Sequence, residues 1–278
     1  MDPRFRGDDA CHATPVVHSG IPQRFRHRDL GNGGEARLSA KLTIAMPSSA
    51  EALLVHQLEC SRLLHQERGA SAALAAALDR VAQWQARRLN ATYADLAVDP
   101  RYAGAIAFFQ SELYGPGDFS QRDADLARVV PIMIRVLPDA VVATVAMAME
   151  LSTLSHELDH ALVGKLDASA PFTVGDYCDA YRACDNRTDR RRQIDLIVQT
   201  GSALDRYVRQ PMLGPLLAMM RHPARIAGLA ALQKFLEDGF ASFAGMRDVD
   251  AFLEAINTRE TAMMEAIFSG DRAPFPDP

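Results

Sequence analysis

From Ser49 to Phe268 apolar residues return every three or four positions, the period of a helix that buries one face. No run carries the two-residue alternation of a half-buried strand, and the breaks fall at proline, glycine and capping residues. A chain patterned this way has to bury its apolar stripes helix against helix.

The spacing predicts a first helix through Leu54, Leu58, Leu63 and Leu64 to Gly69, with Pro47-Ser48-Ser49 supplying the N-cap and Glu51 where the macrodipole favours a carboxylate. A second runs from Ser71 to about Val98 and ends at Asp99-Pro100, because the residue before proline resists α geometry. Pro100 suits the first turn of a third, whose Phe108, Phe109 and Leu113 line one buried face. Asp118 or Ser120 caps a fourth, in which Pro131 predicts a kink. Pro138 restarts a fifth, to about Lys165, which is apolar nearly all round between Val141 and Met149 and therefore belongs at the centre. Thr173 caps a short helix with Tyr177 and Tyr181, and a long one follows from Thr188 to Arg209. The rest reads as a short helix from Leu213 that stops before His222-Pro223, another from Ala224 to Phe243, and a last one capped by Asp248. The fold class is all-α: a single compact multi-helix bundle of about eight to ten helices over residues 46–270. The Pro171 loop is the one candidate internal boundary, and residues 271–278 read as a flexible tail.

Residues 1–45 differ from the remainder, with dense Pro, Gly, Arg and His and no period, so they are expected to be disordered. Their opening, Met1-Asp2-Pro3-Arg4-Phe5-Arg6-Gly7-Asp8-Asp9, resembles the translation of a dispersed bacterial intergenic repeat, which makes Met46 the expected true start. The competing reading is that Arg24-Phe25-Arg26-His27-Arg28 is a tail for an anionic partner. Seven Lys and Arg against five Asp and Glu through Ala45 leave the body at −7 within a total of −5. That charge makes a nucleic-acid partner an unfavourable reading. Cys11, Cys60, Cys178 and Cys184 show no paired spacing, and no apolar run reaches the roughly 18–20 residues that span a bilayer. Without an apolar leader either, the cytoplasm is the expected location and no membrane partner is expected.

The segment Phe108-Phe109-Gln110-Ser111-Glu112-Leu113-Tyr114 runs into Gly115-Pro116-Gly117-Asp118-Phe119. The glycines and proline suit a tight helix exit, which is a purely structural reading. The functional reading gathers Glu112, Tyr114, Asp118, Arg122 and Asp123 into a polar site at one helix junction, since acids beside an arginine can be tuned for binding or proton transfer. The heptapeptide resembles the signature of the FFLEELY motif proteins, a bacterial group. The resemblance to that group extends over most of residues 50–268, through Arg122-Asp123-Ala124-Asp125-Leu126, Gln193-Ile194, Met220-Arg221-His222-Pro223-Ala224, Leu236-Glu237-Asp238-Gly239-Phe240 and Arg259-Glu260. Gln110 and Ser111 depart from the signature, and the resemblance assigns no catalytic residue.

His156-Glu157-Leu158-Asp159-His160 spells HExxH, in which two histidines on one helical face hold zinc and the glutamate acts on its water. Asp159 puts a charge where zinc peptidases avoid one, and no third ligand stands at a recognised spacing, although Asp176 or Asp179 could supply it. The helical wheel sets both histidines opposite Leu151, Leu154 and Leu158, on a solvated face. Arg187, Arg190, Arg191 and Arg192 read as a solvated helix start, with Asp185, Asp189 and Asp195 as nearby partners, in preference to a phosphate site. Met147, Met149, Met212, Met219, Met220, Met263 and Met264 read as core filling, or as the lining of an apolar pocket.

The sequence therefore supports a helical binding or regulatory module without a cofactor, open to a protein partner or a second copy. The alternatives are a zinc-dependent hydrolase acting through His156, His160 and Glu157, and a protein that holds an apolar small molecule.

Overall fold

A computed structural model of the chain describes residues 49–108 and 120–278. Phe109, Glu112, Leu113, Tyr114, Asp118 and the N-terminal segment lie outside the described residues. Among the described residues there are eleven helices and no strand: α1 (Ala50–Ala70), α2 (Ala72–Thr92), α3 (Ala94–Ala97), α4 (Ala103–Phe108), α5 (Ser120–Val136), α6 (Asp139–Val163), α7 (Val174–Ala183), α8 (Arg187–Val208), α9 (Leu213–Ile226), α10 (Ala230–Ala244) and α11 (Val249–Phe268).

Local chemistry accounts for many boundaries. The Ser49 and Ser71 hydroxyls accept from Ala52 N and Leu74 N, each at 3.2 Å, and satisfy donors that the helix cannot. Thr173 and Asp176 form a reciprocal capping box at the start of α7. Three boundaries differ from expectation. The second helix stops at Thr92, because Tyr93 leaves helical geometry to turn its ring into the core, and the short α3 follows. Helix α9 runs through Pro223 to Ile226, and the break falls instead at Gly228, whose φ of +71° is unstrained only for glycine. Asp248 stands at the start of α11 in a left-handed conformation, φ 58°, and makes no side-chain cap hydrogen bond.

Helix α6 is central, packing along α1 and against α2, α5 and α8. This follows from its composition, since a helix apolar on most sides needs neighbours on most sides. Leu54 of α1 meets Val130 of α5 and Val142, Ala146 and Met149 of α6 in one apolar cluster. A second joins Tyr102, Ile106, Phe243 and Phe252 where α4, α10 and α11 meet α8. Phe108 is buried and lies against Gly239 of α10, where an added Cβ would stand 3.1 Å from its ring. A third cluster surrounds Trp84, which stacks on Tyr177 with ring centroids 4.3 Å apart. The C-terminal residues enter that cluster: Phe275 is buried beside Trp84, and Arg272 pairs with Asp179 at 2.7 Å. Within this otherwise largely exposed segment Phe275 alone is buried, because it finds an aromatic slot that a composition of Pro and Asp conceals.

Candidate functional site

Between α1, α2, α6, α7, α8 and α11 the packing leaves a cavity of about 160 Å³. Each helix turns a polar group toward it by simple spacing. His65 and Arg68 come from α1, Gln85 and Arg88 from α2, and Ser155, His156, Asp159 and His160 from α6. Tyr177 and Tyr181 of α7 close one side, Arg190 and Gln193 of α8 another, and Glu260 of α11 a third. Apolar side chains of α8 and α11, Ile194, Ile197, Met263 and Met264 among them, complete the wall.

The solvated face assigned to the histidines does not exist in the folded chain. His156 and His160 are half-buried and both line the cavity, because α1 and α2 pack over the side of α6 that the wheel left open. Burial first, and the neighbouring His65 second, push His156 down to about 4 against the pull of Asp123. Burial also lowers His160, with Glu67 opposing from 3.8 Å. Asp159 shifts the other way: burial holds its carboxyl up, opposed by Gln85, which donates to it at 3.0 Å, and by the Arg190 charge.

Arg122 and Asp123 do come together, and they reach the cavity through His65. Buried Asp123 accepts from Ser61 Oγ at 2.7 Å and from Arg122 Nε at 3.2 Å, while His65 Nε2 stands 3.2 Å from the same carboxylate. Burial raises this carboxyl, but His65, Arg122 and Ser61 outweigh it and hold Asp123 below the usual range. The Asp123 carboxylate thereby orients the His65 ring. The His65 ring meets His156 edge to face at 5.7 Å, so the two motifs singled out in the sequence are neighbours through a histidine that neither contains.

The zinc arrangement is incomplete. Among the described residues no group of three or more His, Cys, Asp or Glu side chains is placed to hold a metal ion, and Glu157 is not part of the cavity wall. Asp176 is engaged in the α7 capping box and Asp179 pairs with Arg182 and Arg272, both beside a separate hollow at the Pro171 loop.

The remaining arginines divide sharply. Arg88 donates to Glu260 at 2.7 Å, and Tyr93 donates to the same oxygen at 2.7 Å. Burial disfavours the Arg88 charge, but Glu260 and the nearby tyrosines more than restore it, so its pKa lies above the ordinary value. On α8, Arg187 pairs with Glu265, Arg191 with Asp195 and Arg192 with Glu150. Arg190 is not part of that solvated row: it is 4% exposed and its guanidinium lies over the Tyr181 ring at 4.2 Å. Its face could have been found from spacing, since Arg190, Ile194 and Ile197 are three and four residues apart. Of the methionines, Met263 and Met264 line the cavity, Met147 and Met149 fill the core, and Met212, Met219 and Met220 are exposed.

Fold and site together define an all-helical protein whose ionisable groups converge on an internal cavity. The chain belongs to the family described as a domain of unknown function (DUF8198), which matches residues 64–274. No curated protein and no solved structure matches it.

Proposed function

We propose that this protein is a helical binding module that holds a small organic molecule in the cavity between α1, α2, α6, α7, α8 and α11. The observation that carries this reading is the convergence there of ionisable and hydrogen-bonding side chains from six helices, while the neighbouring clusters are apolar. Burying polar groups costs stability unless they are satisfied, and a concave site with convergent polar groups is the usual form of a ligand pocket. Asp123 and Arg122 serve the site by orienting His65. We place the protein in the cytoplasm, a reading supported by the scattered spacing of its four cysteines.

Native mass spectrometry of the purified full chain is expected to show a bound small molecule. Ala82→Leu, which fills the cavity, should remove it. A chain that carries no such adduct, and whose melting temperature no small organic compound raises, would end this reading. The zinc-hydrolase reading retains one supporting observation, that His65, His156 and His160 share the cavity wall. It requires a zinc-dependent hydrolytic activity that Glu157→Gln abolishes.

A further inference from the structure

Three arginines line the cavity, and two of them already have their counter-ions: Arg68 pairs with Asp79 at 2.6 Å and Arg88 with Glu260 at 2.7 Å. Arg190 has none among the described residues. Its one hydrogen bond is a long contact, 3.4 Å, from a terminal nitrogen to the Leu158 carbonyl, and its Nε is buried without a partner. A guanidinium keeps its charge in a protein, and a buried charge without a partner carries a large penalty.

We infer that the ligand is a small carboxylate whose anionic end is held by Arg190 and whose apolar body rests on Ile194, Ile197, Met263 and Met264. The inference rests on the binding reading above and gives that ligand its chemical class. The planar fork of arginine presents two parallel donors that match the two oxygens of a carboxylate. One unpaired guanidinium balances one negative charge. A phosphate dianion would bring a second negative charge into a wall whose other two arginines are already paired with Asp79 and Glu260. Asp159 adds a neutral donor when protonated, the form that burial favours for it. A cavity of about 160 Å³ is close to the roughly 150 Å³ that accommodates benzene, which limits the ligand to about six to ten non-hydrogen atoms.

The test is calorimetric titration of the full chain at neutral pH with hexanoate and benzoate, against 1-hexanol and benzyl alcohol as neutral counterparts of the same size. Either carboxylate should bind at least about tenfold more tightly than its alcohol. Arg190→Gln should abolish that preference and Arg190→Lys should retain part of it. If the alcohols bind as tightly as the acids, the anionic inference fails while the pocket reading stands. If none of the four binds, the carboxylate inference fails, and the pocket reading is decided separately by the native mass spectrum of the full chain. A preference that survives in Arg190→Gln would remove Arg190 from the role, and inorganic phosphate displacing benzoate at equal concentration would replace carboxylate by phosphate. Should Arg190→Gln not fold, the wild-type comparison and Arg190→Lys still decide the matter.

Discussion

Helices α8 and α11 pass through two regions with opposite physics. Along α11, Phe252 and Ile256 pack into an apolar cluster with Phe243 and Tyr102, and one turn later Glu260 faces the cavity with Arg88. Along α8, Arg190 stands at the cavity, whereas at Gly201 an added Cβ would lie 2.6 Å from Leu253 Cδ2. The same pair of helices therefore packs so closely at one end that a Cβ at Gly201 would force the Leu253 side chain to shift, and leaves room at the other. The difference lies in which side chains the shared faces carry, and the polar end is the costly one to build. Close packing explains the first region by itself, whereas the second leaves the Arg190 charge without a counter-ion among the described residues.

The largest effect that would break this contrast belongs to the apolar region. Phe252 is 0% exposed, so Phe252→Ala should cost about 3–5 kcal/mol, measured by denaturant unfolding, through lost burial and the void left behind. A wild-type midpoint in that variant would mean that the region is not the tightly packed partner of the comparison.

In the cavity wall, Glu260→Ala should cost roughly 3 kcal/mol, because it strands the Arg88 charge and leaves the Tyr93 hydroxyl without its acceptor. Replacing both members, Arg88→Met with Glu260→Leu, should recover most of that loss. A double variant as unstable as the single one would show that packing, and not charge pairing, sets the cost.

The pH dependence follows from His156. Its folded-state value of about 4 lies below the ordinary 6.5, so the unfolded chain takes the proton more readily. Stability is then full above about pH 6.5 and falls as the pH drops toward 4, by roughly 3 kcal/mol in all. His160 is lowered and acts in the same direction, while Asp159 is raised and regains stability as it protonates. Unfolding curves across this range should flatten in His156→Gln. An unchanged slope in that variant would assign the dependence to other groups.

Arg190 should behave unlike Arg88. Because it has no ion pair among the described residues, Arg190→Met removes a buried charge without stranding a partner and is expected to leave stability unchanged or to raise it by about 1 kcal/mol or more. A loss of several kcal/mol would show that Arg190 is a structural strut.

The smallest expected effect is that of zinc, which should leave the melting temperature where it is. A true site would instead raise stability by about 2.7 kcal/mol at a hundredfold excess over Kd.

Much of the bundle was legible before any coordinates. Three- and four-residue spacing, serine and threonine caps and proline breaks are local properties of the chain, and they set the helical class, most of the helices and the central place of α6. What they could not supply was the partner of each face. The wheel put His156 and His160 in solvent because it knows only the apolar stripe of its own helix, whereas α1 and α2 cover the polar side as well. Arg190 looked like its three neighbours, and only the docking of α7 and α6 against α8 separated it from them. Phe275 stood in a tail without period, yet it is buried because Trp84 and Tyr177 offer it a slot. Helix formation is decided within a few residues of chain, so sequence determined it. The cavity and its charge balance are sums over six helices distant in sequence, and only tertiary packing brings those terms together.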